Sequence, residues 1–336
     1  MALRPVAVAA VAALIVGCTD EPEPTSPATE PEAESPPPVA SPQAASPQAE
    51  PPEAGEIPEM IVMERGGVIP EGIEYDRTNA RFLVGSLAEG TVFEVGNDGS
   101  LTPFVMDEQL VSSVGIEVDE ERNRLLVANS DSAVFQGQGP GQAMLGIYDL
   151  TTGEQTAMVD LTQALGELPE DAAFFANDVA VGDDGTAYVT DTRMNVVYSV
   201  AMDGTASVLH RFEPETQPNG IVYDDGGFLL VVAATGLHKI PVDAPDTAST
   251  VMLAEPLEGG DGMVWTDDGR LAVVSNSQSR VIALTSNDDW ATAEVAAVGP
   301  FEGQGTTAAV ADGDVYVVKP HFQDQEPPSI ERVTFQ

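Results

Sequence analysis

Four side chains with oxygen donors recur at one position of a repeated sequence phrase, and together they have the chemistry of a cation site. They are Glu71, Asn177, Asn219 and Asp261, each at the start of a short and mostly apolar segment. Two carboxylates and two amide carbonyls make an all-oxygen donor set for a hard divalent cation, calcium above all, whose charge the carboxylates would balance. Zinc does not fit, because the chain has a single cysteine, Cys18, and its three histidines are scattered.

The same positions have a simpler explanation that involves no cation. Asparagine or aspartate followed by glycine is an ordinary turn dipeptide, so Asn219-Gly220 or Asp261-Gly262 alone could mark a chain reversal. The coincidence of four oxygen-bearing residues at equivalent positions favours a shared site instead. If no cation were bound there, Glu71 and Asp261 would repel each other, and the pKa of one of them should rise.

The phrase that carries these residues occurs six times and consists of a strand, a tight turn and a second strand. The first residues of the copies are Glu71, Val114, Asn177, Asn219, Asp261 and Gly305, at steps of 43, 63, 42, 42 and 44 residues. A period of about 40–45 residues with strand-only content is typical of a β-propeller, whose innermost strands line a central channel. The sequence therefore predicts an all-β, six-bladed β-propeller in which the four oxygen-bearing side chains converge on the axis.

The last copy of the phrase has no sequence left for a fourth strand. Residues 330–335 supply a third strand, after which the chain ends at Gln336. The run Met60–Glu64 resembles the segment Thr250–Ala254, which we take as the outer strand of blade 4. We therefore predict that the N-terminal strand closes the last blade and so covers an exposed sheet edge.

Strand direction alternates, so the loops that follow the second strands open on the same face as the four oxygen-bearing residues. Two long connections on this face, residues 135–142 and 161–175, are candidates for a lid, a pocket wall or a cover of the blade edges, and leucines in the second suggest a short helix. The same face should carry Asp131, Ser277 and Lys319. The candidate substrate-pocket residues are Phe175, Asp191, Arg193 and His321.

The chain before the propeller divides into two parts. Residues 1–17 have one basic residue, Arg4, and an apolar run that ends just before Cys18, which resembles a lipoprotein signal peptide with lipidation of the Cys18 thiol. A plain signal peptide with an incidental cysteine is the alternative. Residues 18–59 are rich in proline and glutamate and predict a disordered tether, and residues 60–336 form the propeller. These features predict an extracytoplasmic protein of the bacterial cell envelope, anchored to a membrane by lipid.

Charge excludes one class of partner. The formal net charge is −42, and the chain has only two lysines, Lys239 and Lys319. Nucleic acid is excluded as a natural partner, because phosphate binding requires the opposite sign. We expect a monomer that acts on a small molecule.

The phrases also resemble a known family. Glu71-Gly72, Asn177-Asp178, Pro218-Asn219-Gly220 and Asp261-Gly262-Met263 resemble the senescence marker protein, gluconolactonase and luciferin-regenerating-enzyme family, which is related to diisopropyl fluorophosphatases and paraoxonases. The resemblance covers the chain from about Met60. It implies a six-bladed propeller with a calcium-type ion held by the Glu, the two Asn and the Asp. It also implies hydrolysis of lactones or related esters, with Asp261 as the base or the nucleophile.

One departure from the family bears on the substrate. Several sugar-lactone members have an arginine two residues before the third-blade asparagine, where this chain has Phe175. An apolar wall favours a less polar lactone or ester over a polyhydroxy sugar lactone. A non-catalytic, ligand- or protein-binding propeller with a structural calcium ion remains an alternative, as does a quinone-dependent sugar dehydrogenase, which would need more basic residues at the mouth.

Overall fold

The structure, a computed structural model, describes residues 56–322 and 326–336. Within them the fold is all-β: six antiparallel sheets form the blades of a β-propeller, as predicted. The helical segments in this part of the chain are five short 3-10 helices, Glu120–Arg122, Ser132–Gln136, Leu161–Ala164, Pro245–Thr247 and Asn276–Gln278.

The chain enters the propeller through one short strand and then builds the blades in order. The entering strand is β1 (Met60–Val62). Blade 1 consists of β2 (Pro70–Asp76), β3 (Arg81–Ser86), β4 (Val92–Val95) and β5 (Leu101–Val105). Blade 2 consists of β6 (Ser112–Asp119), β7 (Arg124–Ser130), β9 (Met144–Asp149) and β10 (Gln155–Asp160), and the short β8 (Gly141–Gln142) lies between β7 and β9 in the chain.

Blades 3 and 4 follow the same plan. Blade 3 consists of β11 (Phe174–Val181), β12 (Ala187–Asp191), β13 (Val196–Val200) and β14 (Ala206–Arg211), with β8 added in parallel beside β11. Blade 4 consists of β15 (Pro218–Asp224), β16 (Phe228–Ala233), β17 (Gly236–Pro241) and β18 (Ser249–Thr250).

Blades 5 and 6 complete the ring. Blade 5 consists of β20 (Gly260–Trp265), β21 (Leu271–Ser275), β22 (Arg280–Thr285) and β23 (Thr292–Pro300), with β19 (Met252–Leu253) added in parallel to β23. Blade 6 consists of β24 (Ala308–Ala311), β25 (Asp314–Lys319) and β26 (Ser329–Arg332), and β1 is its fourth strand. The innermost strands β2, β6, β11, β15, β20 and β24 each contact the next, and β24 contacts β2.

The predicted closure of the ring by the N-terminal strand is confirmed. Strand β1 pairs antiparallel with β26, and Ile61 lies opposite Ile330. The packing begins before the predicted boundary at Met60, because Ile57 is buried and the backbone N–H of Arg332 donates to the carbonyl of Glu59 at 2.8 Å.

The hydrophobic core is divided among the blade interfaces. Six clusters of buried apolar side chains lie between successive blades, and one of them joins Ile61 and Met63 to residues of blades 1 and 6. The tight turns that predicted the strands are built as expected for Asp-Gly sequences. Gly269, for example, has φ +79, a conformation that residues with a side chain rarely adopt.

Three sequence assignments need correction. The segment 250–254 does not form one outer strand: Thr250 belongs to β18 in blade 4, whereas Met252 and Leu253 pair with blade 5. The last strand ends at Arg332, after which Gln336 exchanges backbone hydrogen bonds with Val298 of blade 5. In the connection 161–175, only Leu161–Ala164 is helical.

Candidate metal centre

The four predicted ligands lie in strands, and so the turn explanation is wrong for them. Glu71 is in β2, Asn177 in β11, Asn219 in β15 and Asp261 in β20. In each blade, the residue just before the candidate ligand pairs with the end of the second strand. In blade 5, for example, Gly260 pairs with Ser275, and Asp261 follows. All four therefore lie at the same end of the channel.

A β-bulge recurs at this position and directs the ligand side chains. In β20, for example, Gly260 pairs with Ser275 and Met263 with Val273, so the inner strand has one residue more than its partner. The same shift occurs in β2, β6, β11 and β15. A bulge re-aims a side chain and bends the strand locally, so four blades present their ligand residues in the same way.

The glycine after three of the four ligands is required by close packing. A Cβ atom on Gly72 would lie 2.4 Å from the carbonyl of Val114, and one on Gly220 would lie 2.3 Å from the carbonyl of Asp261. A Cβ atom on Gly262 would lie 2.4 Å from Oγ1 of Thr307. Thr307 therefore takes the second position of the sixth phrase, and the equivalent first residue is Thr306 instead of Gly305. Inner strands can approach this closely only where side chains are absent.

Asp261 is the most highly connected of the four ligands. Its side chain is 8% exposed, and its Oδ2 accepts a hydrogen bond of 2.9 Å from Nδ2 of Asn276. Asn219 also donates a side-chain hydrogen bond to this carboxylate. Burial raises the pKa of Asp261 to about 6, while these two hydrogen bonds act in the opposite direction.

Asn177 has a buried atom without a partner. Its Nδ2 donates to Oγ1 of Thr192 at 2.8 Å, and Thr192 in turn donates to the carbonyl of Pro218, next to Asn219. Its Oδ1 is buried and accepts no hydrogen bond from any residue that the structure describes. Buried polar atoms are rarely left unpaired, so this oxygen is available for a ligand.

Glu71 completes the set and faces Asp261. It is 9% exposed, and its pKa is raised well above the ordinary value, first by burial and then by repulsion from Asp261 and Asp178. The upward shift expected from repulsion between two carboxylates is thus present in Glu71, whereas burial raises the pKa of Asp261. A divalent cation would remove the repulsion, because the two carboxylates balance its charge.

These observations fit a hard divalent cation. Both asparagines donate through their amide nitrogens, to Thr192 and Asp261, so their amide oxygens face away from those partners. Within residues 56–322 and 326–336 no three histidine, cysteine, aspartate or glutamate side chains are grouped closely enough to hold a metal ion. The candidate centre uses two carboxylates and two amides, which is the oxygen chemistry of calcium rather than of zinc.

The four predicted pocket residues do not share one role. Phe175 is 5% exposed and packs edge-on against Phe135 at 4.7 Å between ring centroids. Asp191 is fully buried, and its Oδ1 accepts the backbone N–H groups of Phe175, Arg193 and Met194, so it holds the loop and cannot contact a substrate.

The other two pocket residues lie nearer the surface. The guanidinium of Arg193, an exposed residue, lies 5.9 Å from the ring centroid of Phe135. His321 is half-buried and has a left-handed backbone with φ 55. Lys319 at the same mouth is paired with Glu331 at 2.8 Å.

A cavity of 420 Å³ opens at the opposite end of the channel, where the inner strands turn back. Glu74, Glu117 and Asp178 line it, together with Tyr223 and Trp265. Burial raises the pKa of Glu74 to about 8 and that of Asp178 to about 7, and it also raises the pKa of Glu117. Repulsion from Asp178 adds to the shifts of Glu74 and Glu117, and repulsion from Asp261 adds to that of Asp178. The cavity was not predicted, although Glu74 and Glu117 occupy the same place in the first two phrases.

The residues that hold the candidate ligands in place were also not predicted. Thr192 and Asn276 hold the side chains of Asn177 and Asp261, and Oγ1 of Thr306 donates to the carbonyl of Glu71 at 2.8 Å. No periodicity marks Asn276, which follows the second strand of blade 5. Thr192 and Thr306 could have been found only from the pairing of neighbouring blades.

Several predictions concern residues outside those described. The signal peptide at 1–17, lipidation at Cys18 and nearly all of the tether at 18–59 fall there, so they stay predictions. No helix of the described part of the chain is long and apolar enough to cross a membrane.

Comparisons with known proteins support the fold. No family model matches the chain, and no curated protein matches it as a relative. Among solved structures, the chain is similar to the allergen Mala s 1 of Malassezia sympodialis, at 18% identity and a TM-score of 0.69 over 82% of this chain and 96% of that one. A glucose dehydrogenase has 12% identity and a TM-score of 0.59 over 82% and 99% of the two chains. A gluconolactonase from Xanthomonas campestris has 15% identity and a TM-score of 0.56 over 82% and 89%. In fold, the chain is a gluconolactonase-like six-bladed propeller.

Proposed function

We propose that this propeller is a calcium-dependent hydrolase of lactones or related esters. Glu71, Asn177, Asn219 and Asp261 would hold the ion, and Asp261 would act as base or nucleophile. The observation that carries the proposal is the buried Oδ1 of Asn177, which has no hydrogen-bond partner among the described residues. Asn177 occupies the same bulge position in its blade as Glu71 and Asp261 do in theirs, and these two carboxylates repel each other. A bound cation accounts for both features at once.

Calcium and Asp261 would have different roles in the reaction. Calcium, when bound, would polarise the carbonyl oxygen of the substrate and stabilise the negative charge that develops there. Asp261 would take a proton from water or attack the carbonyl carbon directly. Burial raises the pKa of Asp261 to about 6 in the metal-free protein, and bound calcium would lower it again, so the carboxylate would be ionised at neutral pH and able to accept a proton or to attack.

The mouth favours an apolar substrate. Phe135 is 55% exposed and packs on Phe175, two residues before the ligand Asn177. The face around this ligand thus offers aromatic surface instead of a fixed set of polar groups for sugar hydroxyls. An alkyl or aryl lactone suits such a surface better than a sugar lactone.

The test is a panel of alkyl lactones, sugar lactones and aryl esters, with and without calcium. We expect calcium-dependent turnover of the apolar substrates by the wild type. Asp261→Asn keeps an oxygen ligand but removes the base or nucleophile, so turnover should fall by about a hundredfold or more.

Calcium binding in the same samples separates the alternatives. A propeller that binds calcium but turns over no member of the panel, in wild type or variant, is a binding protein with a structural ion. Full activity in Asp261→Asn would remove Asp261 from the mechanism.

A further inference from the structure

Asn276 lies directly beyond the strand that pairs with the strand of Asp261. It is the first residue of the 3-10 helix Asn276–Gln278, and its backbone N–H donates to the carbonyl of Gly259 at 2.8 Å. Ser275, just before it, pairs with Gly260 and also donates through Oγ to the carbonyl of Glu258 at 2.6 Å. The backbone at Asn276 is therefore fixed relative to Asp261.

The side chain of Asn276 is held at both ends. Nδ2 donates to Oδ2 of Asp261 at 2.9 Å, and Oδ1 accepts from Nε2 of Gln304 at 2.7 Å. An amide has a donor end and an acceptor end, so the bond from Gln304 to Oδ1 is compatible with only one orientation of Asn276, the one in which Nδ2 faces the carboxylate. Gln304 is exposed, and the connection that carries it is tied to the same helix region by a hydrogen bond from Oγ of Ser279 to the carbonyl of Gly303.

We propose that Asn276, oriented by Gln304, is a positioning residue for Asp261. This inference rests on the proposed function of Asp261 as ligand and base or nucleophile. By occupying Oδ2, the Asn276 amide sets the plane of the carboxylate and so determines where its other lone pairs point. Outer-shell partners of metal ligands act in this way, and their loss typically costs about 10–100-fold in metal affinity or activity.

The experiment measures calcium affinity by calorimetry and turnover of an aryl ester, in the full chain at physiological ionic strength. Asn276→Ala removes the donor to Asp261. Gln304→Glu replaces the donor to Asn276 by an acceptor, which favours the reversed amide with its oxygen toward Asp261. Gln304→Lys keeps a donor at that position. Gln278→Ala is the matched control, because Gln278 lies in the same short helix and its side chain bonds to Glu258 and Ser275 instead of Asp261.

We expect Asn276→Ala and Gln304→Glu to weaken calcium binding by about tenfold or more and to lower kcat with a smaller effect on KM. Gln304→Lys and Gln278→Ala should stay close to the wild type. Electrostatics alone predicts the reverse order for the two Gln304 variants, because an added carboxylate attracts the cation and an added ammonium repels it. Gln304 is exposed, so these two variants remain informative even if Asn276→Ala folds poorly.

The failures can be told apart. If the wild type binds calcium and turns over the ester, but Asn276→Ala and Gln304→Glu match the Gln278→Ala control, the positioning role is wrong and the proposed function stands. If Gln304→Glu binds calcium more tightly than Gln304→Lys, charge rather than amide orientation governs the site, and the inference also fails. A wild type that neither binds calcium nor turns over any ester overturns both proposals.

Discussion

A buried polar atom without a partner costs about 1–3 kcal/mol of folding free energy, and Oδ1 of Asn177 is such an atom. Asn219 is in the opposite situation, because its amide helps to satisfy the buried Asp261 carboxylate. The two asparagines occupy equivalent places in blades 3 and 4, yet only Asn177 has a buried oxygen without a hydrogen bond. At the scale of single residues, this difference supports the proposed role of Asn177 as a ligand.

The contrast predicts that the same substitution affects stability differently at the two positions. Asn177→Leu removes the unpaired oxygen together with the bond to Thr192, so the metal-free melting temperature should change little. Asn219→Leu removes a donor from Asp261 and should lower the free energy of unfolding by about 1–3 kcal/mol. Both variants should lose the rise in melting temperature that calcium gives the wild type. Equal destabilisation of the two, measured by thermal unfolding without calcium, would show that Oδ1 of Asn177 carries no cost.

At the scale of elements, the strands were predictable and the bulges were not. The phrase with its Asp-Gly turns identified the inner strands because alternation and turn residues are local signals. The extra residue in five of the six inner strands, as between Gly260 and Met263, depends on pairing with the neighbouring strand and has no local signal. The same reason explains the error at Thr250–Ala254, a short run that pairs with two different blades.

Strand β1 is the element whose removal tests the closure of the ring. Ile61 and Met63 are each 1% exposed, and burial of such side chains contributes about 1.5–3 kcal/mol apiece. Deletion through Glu64 should therefore lower the melting temperature strongly and expose the edge of β26 to aggregation. Deletion of residues 19–55 is the control, because it retains Ile57, β1 and their contacts. Thermal unfolding and light scattering check both variants, and equal melting temperatures would contradict the closure.

At the scale of the whole molecule, the channel buries carboxyl groups at both ends. Glu71 and Asp261 lie at one end, and Glu74 and Glu117 line the cavity at the other. The sequence predicted the first pair from the repeat position, but it could not show that burial would raise the pKa of the second pair, since burial depends on the closed ring. The folded state therefore binds protons that the unfolded state has released.

These carboxyl groups predict a pH dependence of stability with a definite sign. The unfolded pKa of a glutamate is about 4, whereas that of Glu74 in the fold is about 8. The folded state holds more protons between these values, so the melting temperature of the metal-free protein should fall as pH rises from about 4 to about 8. Glu74→Gln should make the melting temperature fall less steeply in the upper part of this pH range. Glu108→Gln, at an exposed position, should leave the slope unchanged. A melting temperature that rises over this range, or an unchanged slope in Glu74→Gln, would show that the channel carboxylates are not shifted as described.

The most direct test of the central claim is a calorimetric titration of calcium into the wild type and two double variants. We expect one tight site per chain in the wild type and its loss in Glu71→Gln/Asp261→Asn, which removes both balancing charges. Glu74→Gln/Glu117→Gln replaces two carboxyl groups at the other end of the channel and should keep the site. Loss of binding in the second double variant with retention in the first would place the cation in the cavity instead. Absence of a tight site in the wild type would mean that the four bulge residues do not form a calcium centre.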